Sequence, residues 1–241
     1  MPGARLVYSG MASPQQGIGP SDHDRPCRIL SLDGGGAKGF YTLGVLREIE
    51  GMIKCPLFER FDLIFGTSTG AIIAALLARG HTVEEIHQLY REHVPPIMQH
   101  RSAAARSRAL KTAAEAVFGT TRFEDVRTGV GIVATRWVTE TPMIFKGSVA
   151  QAYGRTGTFI PGFGCTIPEA VQASCSAYPF FERKVITTGQ GDRVELIDGG
   201  FCANSPTLYA IADAVEALHA PCKNVRVVSI GVGLYLSRGV P

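Results

Sequence analysis

Twice between Arg28 and Gly80 the chain passes from a short apolar stretch through a glycine turn into an apolar helix. Residues 28–33 predict a buried strand, residues 34–39 a turn, and residues 41–50 a helix with Leu43, Val45, Leu46 and Ile49 available for burial. The pattern repeats at once with a strand over 61–65, a sharp turn over 66–70, and a helix over 71–78 that ends near Gly80. Strands separated by helices of this length cannot pair as hairpins; they pair in parallel, joined by crossover helices. The fold class this implies is α/β, a single three-layer α/β/α domain with a mostly parallel central sheet.

The rest of the chain fits one such domain. With 241 residues and 45% hydrophobic content it can bury one sizeable core. Residues 1–26, rich in Gly, Pro, Ser and Gln without helical or strand period, read as a disordered leader, and residues 27–241 as the domain. Thr82 with Glu85 three residues on predicts a capped helix over 82–93, ended by Pro95 and Pro96. Residues 101–118 predict an alanine-rich helix made basic by Arg101, Arg106, Arg108 and Lys111. Strands over 131–138 and 143–145 form a hairpin, a short helix covers 168–176, and strands over 184–187 and 194–197 flank a Gly-Gln-Gly-Asp turn. A helix over 206–219 and a last buried strand over 225–230 complete the pattern.

Composition narrows the class of partner. A formal net charge of +3 is far from the dense basic stripe of a nucleic-acid binder, so no nucleic acid polymer is expected, and an anionic lipid surface suits it as well. The six cysteines contain no C-x-x-C pair, which argues for reduced thiols rather than a zinc site or disulfide framework. No apolar run of signal-peptide length precedes residue 26, and the longest apolar stretch, 63–78, falls short of the ~20 residues that span a bilayer. The expected location is cytoplasmic, with peripheral contact at a membrane; no metal and no cofactor are expected.

Three short stretches carry chemistry. Gly66-Thr67-Ser68-Thr69-Gly70 fits G-x-S-x-G between a strand and a helix, the context in which that pattern is a nucleophile elbow rather than a capping turn. Asp33-Gly34-Gly35-Gly36-Ala37-Lys38-Gly39 exposes successive backbone N–H groups ahead of a helix N-terminus, which suits an anion or an oxyanion. The same glycines satisfy G-x-G-x-x-G, the mark of a dinucleotide site through Gly34, Gly36 and Gly39, but the acidic residue such a site wants at the end of the next strand is missing: Asp62 begins that strand. A phosphate loop of Walker type fails because Phe40 and Tyr41 follow Gly39. Asp198-Gly199-Gly200 closes a predicted strand, delivering a carboxylate at the strand's carboxyl end, the edge where open α/β sheets build sites. By itself that tripeptide reads as a turn.

Together these stretches resemble the patatin-like phospholipase family, whose marks are a D-G-G-G-x-[RK]-G loop, a G-x-S-x-G elbow and a later D-G-[GA]. The resemblance continues through Ala173-Ser174-Cys175-Ser176-Ala177-Tyr178-Pro179-Phe180-Phe181, Ala203-Asn204-Ser205-Pro206 and Ser229-Ile230-Gly231-Val232-Gly233, so it runs from about Arg28 to Gly233. Phe40, Cys175, Tyr178 and Val232 depart from the commoner residues of that pattern.

The resemblance implies a serine carboxylic ester hydrolase acting on phospholipid, lysophospholipid or other acyl lipid, with Ser68 as nucleophile and Asp198 as its base in a Ser-Asp dyad. It implies an oxyanion hole from the N–H groups of Gly34, Gly35 and Gly36, a loop anchored by Lys38, and turns supported by Gly66, Gly70, Gly199 and Gly200. Of the six histidines only His219 follows Asp198, and its place near a helix end reads as a capping cation rather than a triad base. Tyr178, Phe180 and Phe181 line an acyl pocket or pack the core. The basic 101–111 segment reads as a solvated helix more than as a membrane-binding one, since its apolar face is mostly alanine. Some bacterial relatives are triggered by a cyclic nucleotide, so the alternative is a switched effector lipase, active only after a partner or nucleotide signal binds. Many relatives continue beyond the last strand, which leaves a carboxyl-terminal lid or regulatory part open.

Overall fold

The computed structural model describes residues 25–153 and 156–233. Of the expected leader, residues 1–24 lie outside the described residues. Among the described residues seven strands form one sheet: β1 (Cys27–Leu32), β2 (Leu63–Thr67), β3 (Gly129–Arg136), β4 (Pro142–Lys146), β5 (Lys184–Thr187), β6 (Arg193–Asp198) and β7 (Val225–Ile230). The helices are α1 (Gly39–Ile53), α2 (Leu57–Arg60), α3 (Thr69–Ala78), α4 (Val83–Gln99), α5 (Ala103–Phe118), α6 (Ile167–Ser174), α7 (Gly200–Ala203) and α8 (Thr207–Ala212).

The strand order is β5-β6-β3-β2-β1-β7, with β4 also paired to β3. Strands β7, β1, β2 and β3 run parallel, as the tandem strand–turn–helix units require. The sheet is covered on both faces. Leu30 and Leu32 of β1, Ile64 of β2 and Ile132 of β3 pack into a large core with α1, α3, α4, α5 and α6. The alternate residues Ile29, Leu63 and Phe65 pack against a thinner layer built on Ala210 of α8 and on Ala214, in the π-helical turn Asp213–Ala217 that continues it. Nine of the ten residues of α3 are buried, which accounts for its lack of a polar face: a helix that is apolar all round belongs inside.

Register decides where the chemistry meets. β2 pairs with residues 129–133 of β3 and β4 with residues 131–135, so they lie on opposite edges of β3. β6 pairs with residues 134–136, overlapping β4 but not β2, so it lies on the β2 edge, beyond Thr67. It runs antiparallel to β3. Strands β2 and β6 therefore point at each other along one edge of β3, and the residues that follow one and end the other, Ser68 and Asp198, face across the gap.

Three expectations are corrected. Asp198 does end its strand, as expected, but it reaches Ser68 because that strand enters from the opposite direction and not by sharing the carboxyl edge of the parallel strands. Helix α4 runs through Pro95 and Pro96 to Gln99. Both prolines are exposed, so the backbone acceptors they leave open face water, while the extra turn buries Ile97 in the large core. Among the described residues strand β7 pairs only with β1 and stands at the sheet edge, and its middle residues are exposed rather than buried.

Candidate active site

Ser68 sits between β2 and α3 at φ 54°, ψ −122°, a conformation that a side chain adopts only when its surroundings hold it. The turn closes this tightly because a Cβ on Gly66 would strike the backbone of Gly70, and one on Gly70 would strike the Leu32 carbonyl. Ser174, fully buried at the end of α6, is the clamp. Its Oγ accepts the Ser68 N–H at 2.9 Å and donates to the Val133 carbonyl at 2.5 Å. The same segment sets the other strand end, since the Asp198 N–H donates to Ser176 O at 2.9 Å and the Gly199 N–H to Ser174 O at 3.3 Å.

The Ser68 hydroxyl donates to Asp198 Oδ2 at 2.5 Å, and the Gly200 N–H donates to Asp198 Oδ1 at 2.7 Å. Asp198 is buried, and that burial lifts its carboxyl above the ordinary carboxylate value; the bonds from Ser68 and Gly200 pull the other way. A Cβ on Gly199 would strike the Val133 carbonyl, so the turn after Asp198 packs directly on β3.

The glycine loop hangs over Ser68 between two supports. Asn204 donates to the Gly34 carbonyl at 3.2 Å and accepts the Gly34 N–H on its own carbonyl at 3.0 Å. Tyr90 of α4, buried and edge-on to Phe40, donates its hydroxyl to the Gly36 carbonyl at 2.7 Å. The Gly35 N–H donates to Thr69 Oγ1 at 3.2 Å, and the Gly36 N–H has no acceptor among the described residues. Of the three glycines expected around an oxyanion, Gly35 and Gly36 line the cavity with Ser68, while the N–H of Gly34 is turned to Asn204. Lys38 lies exposed at the end of the short 3-10 turn, its backbone N–H bonded to Gly35 O.

Ser68 and Asp198 open into a cavity of about 430 Å³ whose walls are chiefly apolar, among them Ile72, Val94, Ile97, Leu110, Phe180 and Phe181. No histidine among the described residues lines it; His219 is exposed on the turn that follows the π-helical segment. Cys175 lines the cavity as well, but its burial pushes the thiol well above its ordinary value, so it is held neutral. Asp62, the acid nearest to a dinucleotide reading, accepts the Arg28 N–H and pairs with Arg25 at the start of β2, away from the glycine loop. Ser174, Tyr90 and Asn204 carry no local sequence signal as supports, although Ser174 and Asn204 lie in stretches that carry the family resemblance.

An elbow serine bonded to a buried carboxylate under a glycine loop, opening to an apolar cavity, can attack an ester whose acyl chain fills that cavity. The family model described as patatin-like phospholipase matches residues 30–211. A cUMP-AMP-activated phospholipase of Escherichia coli is 66% identical over 230 residues, covering 95% of this chain and 71% of that protein. A cGAMP-activated phospholipase of Vibrio cholerae is 28% identical over 234 residues, covering 85% of this chain and 63% of its relative, so the chain spans less than two thirds of that protein. Among solved structures, VipD from Legionella pneumophila superposes with a TM-score of 0.52 at 13% identity, over 85% of this chain and 50% of that one, a likeness of fold.

Proposed function

The chain belongs to the patatin-like phospholipase family, and on that premise we propose that it hydrolyses acyl esters of phospholipids through a Ser68–Asp198 dyad. The observation that carries this reading is the 2.5 Å hydrogen bond from Ser68 Oγ to a buried carboxylate at the mouth of an apolar cavity. As Ser68 Oγ attacks the ester carbonyl carbon, its proton passes to Asp198 Oδ2. Negative charge gathers on the carbonyl oxygen. The donors that meet it are the Gly36 N–H, the Thr69 N–H that follows the nucleophile, and the Gly35 N–H once it leaves Thr69 Oγ1. Collapse of the tetrahedral species breaks the ester C–O bond, the departing alcohol takes the proton from Asp198, and the acyl group stays on Ser68. Water then attacks the acyl carbon, gives its proton to Asp198, and the fatty acid leaves as Ser68 regains its hydrogen.

Partial desolvation serves this cycle. A carboxyl lifted above its ordinary value by burial is a stronger base for the serine proton than an ordinary aspartate.

The same reading includes a switch: the hydrolase works after a cyclic dinucleotide binds. This rests on the names of the two relatives described above, both phospholipases activated by such a molecule. The test is hydrolysis of a p-nitrophenyl acyl ester and of phospholipid vesicles by wild type and Ser68→Ala, with chelator present, with and without cUMP-AMP. Turnover in wild type that Ser68→Ala abolishes is expected. Full turnover in Ser68→Ala would sink the nucleophile assignment, and phospholipid turnover indifferent to the nucleotide would sink the switch.

A further inference from the structure

The cavity mouth is ringed by large apolar side chains that project into solvent. Phe180 and Phe201 line the cavity yet are 63% and 59% exposed, and Met98 beside them is also exposed. The apolar surface continues from Phe180 through Pro179 to Tyr178, whose ring meets Trp137 at a centroid distance of 5.5 Å. Trp137 and Val138 open the turn between β3 and β4, and Val138 is 83% exposed. Core packing explains none of these positions, and together they form the kind of contiguous apolar surface that a protein retains for a partner.

Charge identifies that partner. The loop bearing Phe180 is tied to the start of α5: Arg106 donates to the Phe180 carbonyl at 3.4 Å, and the Glu182 N–H donates to Ser107 Oγ at 2.8 Å. Arg101 and Arg108 are exposed nearby in sequence, and none of the ion pairs among the described residues involves Arg101, Arg106 or Arg108. Two exposed acids, Glu182 on this loop and Glu140 in the β3–β4 turn, stand against these arginines, and Arg183, which lies over the Trp137 ring at 4.8 Å, pairs with Glu195. Aromatic rings with polar edges, on a loop tied to a helix start whose arginines form no ion pair, match the boundary between lipid headgroups and acyl chains.

We propose that this rim is the docking face for an anionic lipid bilayer, with Trp137, Val138, Tyr178 and Phe180 entering the interface and the arginines at and just before the start of α5 meeting headgroups. It deepens the phospholipase reading and rests on it, because it places the cavity mouth where an acyl chain can leave the bilayer without crossing water.

Trp137 is the single tryptophan of the chain, so its fluorescence reports this face alone. Ser68→Ala protein, which cannot degrade the vesicles, is mixed with phosphatidylcholine vesicles with or without phosphatidylglycerol, in the presence and absence of cUMP-AMP. On the phosphatidylglycerol vesicles the protein should co-sediment, its emission should move to shorter wavelength, and acrylamide should quench it less. Val138→Asp, at an exposed turn outside the cavity, should weaken partition by roughly tenfold or more while leaving p-nitrophenyl acetate hydrolysis in the Ser68 background unchanged. Arg101→Gln and Arg108→Gln, each losing one basic charge, should each cost about fivefold on the anionic vesicles and nothing on phosphatidylcholine alone. Hydrolysis plays no part in the fluorescence signal, so failure of the dyad leaves this result standing. Co-sedimentation with unchanged emission would assign docking to another face. Emission that shifts with protein concentration in the absence of vesicles would assign the rim to a second copy. Either result, or no co-sedimentation under any of these conditions, overturns the proposal.

Discussion

Replacing Ser174 by alanine removes one oxygen from the interior and unties the elbow from β3. Ser174 Oγ is the acceptor of the Ser68 N–H and a donor to the Val133 carbonyl, and the residue is completely buried. Water cannot replace a partner there without a cavity to hold it, so two buried backbone groups lose their bonds. At about 1.5 kcal/mol for each group, the loss is about 3 kcal/mol of stability. For a domain of this size that lowers the melting temperature by roughly 6–12 °C. Activity falls by a separate route. The left-handed backbone of Ser68 stores strain of order 1–3 kcal/mol, held in place partly by that N–H bond, and its release moves the hydroxyl off the carboxylate. A misplacement near 1 Å reduces kcat by about a hundredfold, whereas KM for a short soluble ester should hardly change because the cavity wall is untouched. The control is Ser176→Ala, which removes another buried hydroxyl, bonded to Gln172 O and not to the elbow; it should lose stability without a comparable loss of kcat. Thermal denaturation and steady-state kinetics on both variants decide the matter. A folded Ser174→Ala protein with kcat within about twofold of wild type, or a Ser176→Ala protein equally inactive, refutes the positioning role.

The raised carboxyl of Asp198 makes a paired prediction about pH. Because the folded state binds that proton more tightly than the unfolded chain, the contribution of Asp198 to stability falls as pH rises from the ordinary carboxylate value through the raised one, while activity rises over the same window. The acid limb of kcat/KM should therefore lie above the ordinary carboxylate value, and Asp198→Asn should melt no lower than wild type at neutral pH; an acid limb at or below that value, or a large drop in melting temperature, contradicts this. Leu110 forms part of the wall between the main cavity and a narrow apolar one of about 30 Å³ that Ala113, Ala114 and Val117 also line. Leu110→Ala should cost about 2–5 kcal/mol in stability and shift the preferred acyl chain to longer esters, measured across a chain-length series; an unchanged preference would exclude the second cavity as an extension of the first.

Local pattern made much of this legible, and non-local contact hid the rest. The strand–turn–helix units at 28–50 and 61–78 announce parallel strands because glycine turns and apolar periodicity are properties of neighbours in sequence. Ser68 was visible for the same reason, standing in a G-x-S-x-G between a strand and a helix. Asp198 was visible only through the resemblance, since an Asp-Gly-Gly is a turn until something brings a serine to it. The direction of β6 had no local signal at all: it depends on pairing with β3 across 63 residues, as between Thr135 and Asp198. Ser174 and Tyr90 carry no local signal because their partners, Ser68 and Gly36, lie 106 and 54 residues away. Pro95 and Pro96 misled in the opposite sense. Their local preference to end a helix is outweighed by the burial of Ile97 one residue later, with the lost backbone bonds facing water. The exposure of β7 likewise follows from its place at the edge of the sheet formed by the described residues, which a run of valines does not reveal.

Whether Asp198 takes the serine proton itself is tested most directly by comparing Asp198→Asn with single alanine variants of every histidine, on a soluble acyl ester across the pH range. A dyad leaves Asp198→Asn inactive with its circular dichroism spectrum intact, and leaves each histidine variant, His219→Ala included, with near wild-type rate and pH profile. A histidine variant that is folded and inactive, or an Asp198→Asn protein that retains substantial turnover, contradicts the dyad even if Ser68 remains the nucleophile.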